Sequence, residues 1–267
     1  MNKLFRNSKM KVAPGQIYWR EIGEKNEAII FIHNSFSDSN EWIPLLEIFG
    51  QNYHCFAVDL LGFGSSDLPE IHYSIELQVE VLAEFLNTLN LQDIYLVGHG
   101  LGGWVTASFA LHNQENIKGV VLISPMGSKY ENERKYAEYN FLISAPNIFF
   151  IALEKIKSVA KLLGLNKKIE EILEKRKLLM RNPTSCELLF ARPSAEIKAE
   201  LLGDKLGLLK IPVLLLQGLN SPGQCEDYAQ MLAQATLHTV NFNEQELLSE
   251  RCEIMARYIE EFILNNG

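Results

Sequence analysis

The stretch that decides the fold runs from Ile94 to Leu111, IYLVGHGLGGWVTASFAL. Ile94 to Val97 is an apolar run with the composition of a buried strand. The cluster Gly98, His99, Gly100, Leu101, Gly102, Gly103 then breaks the extended chain, and Trp104 to Leu111 reads as a helix. A strand therefore passes through a tight elbow directly into a helix. Gly100 stands at the middle of that elbow, where glycine takes a positive φ without the steric cost that a Cβ brings.

Outward from the elbow, Ala28 to Ile32 and Cys55 to Val58 on the N-terminal side have the same buried-strand character, and Gln16 to Arg20 is a shorter strand pattern. A helix starts near Ser39 and carries Trp42. Ser74 is placed to cap a second helix, with apolar positions Ile75, Val79, Leu82, Leu86 and Leu89 at helical spacing and Glu76, Glu80 and Glu84 outside. On the C-terminal side, strands follow at Val120 to Ile123 and, after Pro212, at Val213 to Leu216. Strands alternating with helices predict an α/β class with a mostly parallel central sheet flanked by helices and right-handed crossovers. The roughly 80 residues between the last two strands exceed any ordinary connection and must fold as an insertion.

These motifs resemble the α/β-hydrolase superfamily, of the AB hydrolase-1 type with a cap, whose G-x-S-x-G elbow presents a nucleophile above the sheet. The signature here reads Gly98, His99, Gly100, Leu101, Gly102. The run Asp59, Leu60, Leu61, Gly62, Phe63, Gly64, Ser65, Ser66, Asp67 is similar to the D-x-x-G-x-G-x-S-D turn of the same family, where its role is structural. Trp42 matches a family tryptophan. The resemblance spans residues 12–125 and 206–267, which it implies to be the core, and implies a helical cap at 126–205.

The family's catalytic trio, carried over position by position, lands on Gly100, Ser221 and Gln245. Glycine stands where relatives carry the nucleophile. Relatives read G-x-x-D after the penultimate strand, whereas this chain reads Gly218, Leu219, Asn220, Ser221. Relatives read G-H near the C-terminus, whereas this chain reads Glu244, Gln245. The expectation is a degenerate triad with no attacking atom, no orienting carboxylate and no imidazole. The family's oxyanion loop falls on His33, Asn34 and Ser35, so the pocket is expected at His33, Asn34, Ser35, His99 and Leu101. Asn34 replaces a glycine there and is expected to restrict the loop's backbone. His33, His99 and His238 are read as core or loop histidines, and Cys225 as an inert thiol.

A formal net charge of −8 disfavours nucleic-acid binding. Cys55, Cys186, Cys225 and Cys252 are widely spaced, and neither they nor the six histidines show metal-ligand spacing. Gly102 and Gly103 do not complete a dinucleotide-binding fingerprint, so no cofactor and no metal are expected. The N-terminal stretch lacks the apolar core of a secretory signal and no long apolar span occurs, which predicts a cytoplasmic protein.

Charge is uneven along the chain. Met126 to Arg181 holds 12 Lys and Arg against 7 Glu, a balance of +5, which leaves −13 for the rest. Ile148 to Leu163 reads as a basic amphipathic helix, with Phe149, Ala152, Leu153, Ile156 and Val159 on one side and Lys155, Lys157 and Lys161 on the other. Two readings stand: a surface for an anionic membrane or a partner, or a cap helix that buries its apolar side against the core. Lys167 to Lys177 reads as a solvated helix face. In function, the sequence predicts an inactive homologue that binds a small apolar ligand, a protein partner or a membrane surface. The alternative is an enzyme of lyase or cofactor-free type without a nucleophile, using His99, His33 and Asn34. A hydrolase label would rest on fold alone.

Overall fold

The computed structural model describes residues 5–129, 133–160, 165–218, 224–240 and 252–267. Its strands are β1 (Arg6–Val12), β2 (Gly15–Ile22), β3 (Ala28–Ile32), β4 (His54–Asp59), β5 (Ile94–His99), β6 (Ile117–Ile123), β7 (Val213–Gly218) and β8 (Ala235–Val240). The helices are α1 (Ile43–Phe49), α2 (Ile75–Thr88), α3 (Leu101–His112), α4 (Glu133–Ser144), α5 (Asn147–Ala160), α6 (Asn166–Arg181), α7 (Pro183–Cys186), α8 (Ser194–Glu200), α9 (Gln224–Met231) and α10 (Cys252–Asn266). The chain divides into two compact units, Met1–Lys129 with Glu200–Gly267, and Tyr130–Ala199.

In the first unit the strands form one sheet in the order β1-β2-β4-β3-β5-β6-β7-β8. A tight turn joins β1 to β2, which forces an antiparallel hairpin, and β2 also pairs antiparallel with β4. Every other pairing is parallel, because longer connections return the chain to the same end of the sheet. Residues of β3 and β5 are buried throughout, as their unbroken apolar runs require of strands covered on both faces. One face packs Phe31, Val97, Val121 and Leu214 against Trp42 and Phe49 and against Ile259 and Ile263 of α10.

Several elements depart from expectation. α3 starts at Leu101 rather than Trp104, because Gly102 takes its place in the helix: a Cβ there would stand 2.3 Å from the Ile32 carbonyl oxygen, so only glycine lets this turn press on the end of β3. The helix near Ser39 is a 3-10 turn, Ser39–Trp42, with α1 beyond it. Ser74 caps α2, its hydroxyl accepting from the Leu77 N–H at 3.0 Å. The buried side of α2 is Ile75, Gln78, Val81, Leu82, Phe85 and Leu86, so Val79 and Leu89 are not its centre. β1 is a polar edge strand that the apolar periodicity does not reveal.

The second unit is helical. Arg176 of α6 is buried, donates to the Leu142 carbonyl and to Asn147 Oδ1, and lies 3.8 Å from the Phe150 ring centroid. The Tyr139 and Phe190 rings stack at 4.3 Å. α6 is therefore not merely a solvated face, since Ile169, Arg176 and Leu179 are all buried. On α5, Phe150 is 5% exposed while Ile148 is 75%, Ile151 52% and Ile156 52% exposed. The apolar side of this helix is thus not fully buried.

Candidate functional site

β5 ends at His99 and α3 begins at Leu101, so Gly100 alone makes the elbow, with φ 52° and ψ −111°. Its N–H donates to the Ile123 carbonyl at 3.0 Å, and its own carbonyl accepts from the Trp104 N–H at 3.2 Å and the Met126 N–H at 3.0 Å. These bonds tie strand end, helix start and the chain after β6 together without a side chain at position 100.

Asn34 follows β3 by two residues and faces the elbow. Its backbone does not take the left-handed conformation, which among the described non-glycine residues occurs at Asn90, Asp93 and Ser124. Besides its backbone, its side chain shapes this loop. Asn34 Oδ1 accepts from the Ser35 N–H at 2.7 Å, the Leu101 N–H at 3.2 Å and the Ser35 hydroxyl at 3.3 Å. A Cβ on residue 100 would stand 2.0 Å from this oxygen and 2.4 Å from Asn34 Cγ.

The two histidines next to the elbow have different surroundings. His33 is buried, its Nδ1–H donating to the Asn34 carbonyl at 2.8 Å and its Nε2 accepting from the Leu60 N–H at 3.1 Å. Both ring nitrogens are thereby used, which suits a structural residue and fixes the tautomer. His99 is also buried and pairs through Nδ1 with Glu41 Oε1, while Glu41 Oε2 accepts from the Asn34 N–H at 3.1 Å. Among the described residues, His99 Nε2 has no hydrogen-bond partner. Burial alone would raise the Glu41 pKa; the His99 charge and hydrogen bond, with a Ser37 hydrogen bond, outweigh it and hold the carboxyl below its ordinary range. Sequence reading missed Glu41, which looks like an ordinary charged residue in a helical turn.

Asp59 anchors the neighbouring turn. Its Oδ1 accepts from the Ser39 N–H at 2.6 Å and its Oδ2 from the Ser65 N–H at 2.7 Å. One carboxylate thus joins the 3-10 turn that carries Glu41 to the turn after β4.

Of the other serines and thiols near the sheet's strand ends, Ser35 and Ser124 are 1% and 2% exposed. Cys225 is buried on α9, and its Sγ lies 3.5 Å from the Leu216 carbonyl. Burial pushes the Cys186 thiol up to about 11. Ser221, Gln245 and Lys161 lie outside the described residues. Lys155 is exposed, whereas Lys157 pairs with Glu170 at 2.8 Å. No group of three or more potential metal ligands occurs among the described residues, and no described helix is long and apolar enough to cross a membrane. A hollow of about 490 Å³ lies away from the elbow, by Pro212, His238, Tyr258 and Glu261.

Comparison with known proteins agrees with this architecture. Residues 27–148 match the family model described as alpha/beta hydrolase fold. An uncharacterized protein of Mycobacterium tuberculosis is 31% identical over 106 residues, 40% of this chain and 31% of that protein. A haloalkane dehalogenase of Mesorhizobium japonicum is 26% identical over 121 residues, 44% of this chain and 38% of that one. The chain thus spans well under half the length of these curated relatives. A serine hydrolase from Cycloclasticus zankles superposes with a TM-score of 0.74 at 18% identity, over 97% of this chain and 98% of that one. A membrane phospholipase A described as a bacterial virulence factor superposes with a TM-score of 0.72 at 19% identity, over 98% and 86% of the two chains. The chain is an α/β-hydrolase-fold protein.

Proposed function

We propose that this α/β-hydrolase-fold protein is a pseudoenzyme that acts by binding rather than by nucleophilic acyl chemistry. The observation that carries the reading is Gly100: the elbow has its bent conformation and its backbone hydrogen bonds, but no atom to attack a substrate. The sequence at Ser221 and Gln245, where the family pattern calls for an acid and a base, supports it further. The neighbours named as hydrolases, dehalogenase and phospholipase share the fold, and fold alone does not carry their chemistry over.

Small apolar ligands, protein partners and membrane surfaces remain the candidate occupants, and α5 favours the last. Ile148, Phe149, Ile151 and Ile156 are exposed along it together with Lys155, in a segment of net charge +5. Such a face suits an anionic bilayer, apolar side chains entering the interface while lysines meet headgroups.

A second reading rests on Glu41 and His99. A carboxylate that holds one imidazole nitrogen while the other is unpartnered is the arrangement of a general base, which would suit an enzyme without a covalent intermediate. Treatment with a fluorophosphonate probe, beside a panel of short acyl esters, tests the first reading. The expected result is neither labelling nor turnover. Stoichiometric labelling at Ser35, Ser124 or Ser221 would overturn it.

A further inference from the structure

Gly100 and Asn34 are sterically matched. The position that any side chain at residue 100 must use for its Cβ is 2.0 Å from Asn34 Oδ1, so a residue with a Cβ and this Asn34 rotamer exclude each other. That same oxygen takes two backbone N–H groups at once, one from the loop after β3 and one from the first turn of α3. Ser35 and Leu101 are 1% and 0% exposed, so neither N–H has ready access to solvent in place of the carboxamide. A planar carbonyl oxygen between two convergent donors has the geometry of a bound acyl oxygen. Here the protein provides it from within.

We infer that Asn34 is a built-in occupant of this donor pair, and that it closes the elbow to acyl and carboxylate ligands. The inference goes beyond the proposed binding role, because it would hold equally for an enzyme that used the Glu41–His99 pair. It limits the ligand class at the elbow: a molecule seated there does so without placing a carbonyl or carboxylate oxygen between Ser35 and Leu101, unless it first expels Asn34.

Two measurements on the whole chain test this. The first is a double-mutant cycle on thermal midpoint with Gly100→Ala and Asn34→Gly. Gly100→Ala lowers the midpoint both through its positive φ and through the clash with Asn34, and only the clash vanishes in the Asn34→Gly background. The loss caused by Gly100→Ala should therefore shrink by at least half in that background. An unchanged loss would overturn the steric match. The second follows the Ser35 and Leu101 amide resonances during titration with acetate. Wild type should show no saturable shift, whereas Asn34→Gly should shift both amides together. A saturable wild-type response, or an unresponsive Asn34→Gly variant, would overturn the built-in occupant. Should Asn34→Gly not fold, Asn34→Asp keeps the shape and supplies a stronger acceptor. It should then move the Leu101 amide, 67 positions away in sequence, as well as that of its neighbour Ser35. A response confined to Ser35 would count against the inference.

Discussion

Glu41 and His99 stand 58 positions apart in sequence, yet meet beside the elbow through Oε1 and Nδ1, both side chains almost wholly buried. Since the other carboxylate oxygen holds the Asn34 N–H, this one residue links the strand that leads into the elbow to the loop that faces it. Glu41→Gln should therefore destabilise the first unit by about 3 kcal/mol at neutral pH, the scale for breaking a buried pair. The sign follows from the depressed Glu41 pKa: the stabilisation is fully present above the carboxyl's unfolded value and is lost as pH falls through its lower folded value. Denaturant titrations of wild type and variant should thus differ fully at neutral pH and converge under strongly acid conditions. A gap that persists undiminished in acid would exclude an ionic origin.

Serine at the elbow should not by itself create an esterase. Gly100→Ser adds an oxygen but no base at Gln245, and the new side chain must take a positive φ and displace Asn34. Activity on short acyl esters should stay at background, with a stability loss of about 1 to 3 kcal/mol or more. Steady-state turnover clearly above that of wild type would show that a competent base already stands by the elbow.

Membrane contact through α5 can be read by sedimentation with vesicles. Wild type should pellet with anionic vesicles at low salt, not with neutral ones, and less as salt screens the attraction. Lys155→Glu with Lys157→Glu should weaken binding about 30-fold or more, each lysine contributing on the order of 1 kcal/mol before reversal. Ile148→Ser should weaken anionic-vesicle binding while leaving its salt dependence unchanged, because it removes insertion rather than attraction. Equal pelleting of wild type and the charge-reversed variant would reject the bilayer as the occupant.

Thiol labelling offers a check on packing. Cys55, Cys186 and Cys225 are buried and Cys252 is half-buried. Iodoacetamide on the native protein at neutral pH should modify Cys252 first and leave Cys186 unmodified, because burial disfavours its thiolate. Peptide mass analysis showing early modification of Cys186 would contradict the packing of the second unit.

Strands were easy to foresee where the chain is apolar without interruption, as at Ala28 to Ile32 and Val213 to Leu216, because strands buried on both faces admit little else. β1 was hidden because an edge strand needs few apolar residues. The face of α2 slipped because Gln78 is buried to bond the Leu61 backbone in both directions, a polar demand that apolar spacing does not register. The elbow was legible as a local pattern. Its surroundings were not: Glu41 finds His99, and Asn34 finds Leu101, only after separate strands come together, and no periodicity encodes such meetings. Asn34 stands out in the sequence for its backbone, and the bonds of its carboxamide become visible only in the fold.

Asp59 has a wider meaning for how such a protein changes over generations. Its carboxylate and the backbone bonds of Gly100 secure the turns around the elbow, and none of these ties uses a side chain at the three positions of the family's catalytic trio. Selection for a chain that folds and selection for turnover consequently fall on different residues. A lineage carrying this arrangement can alter its chemistry, or abandon it, while inheriting the same architecture intact.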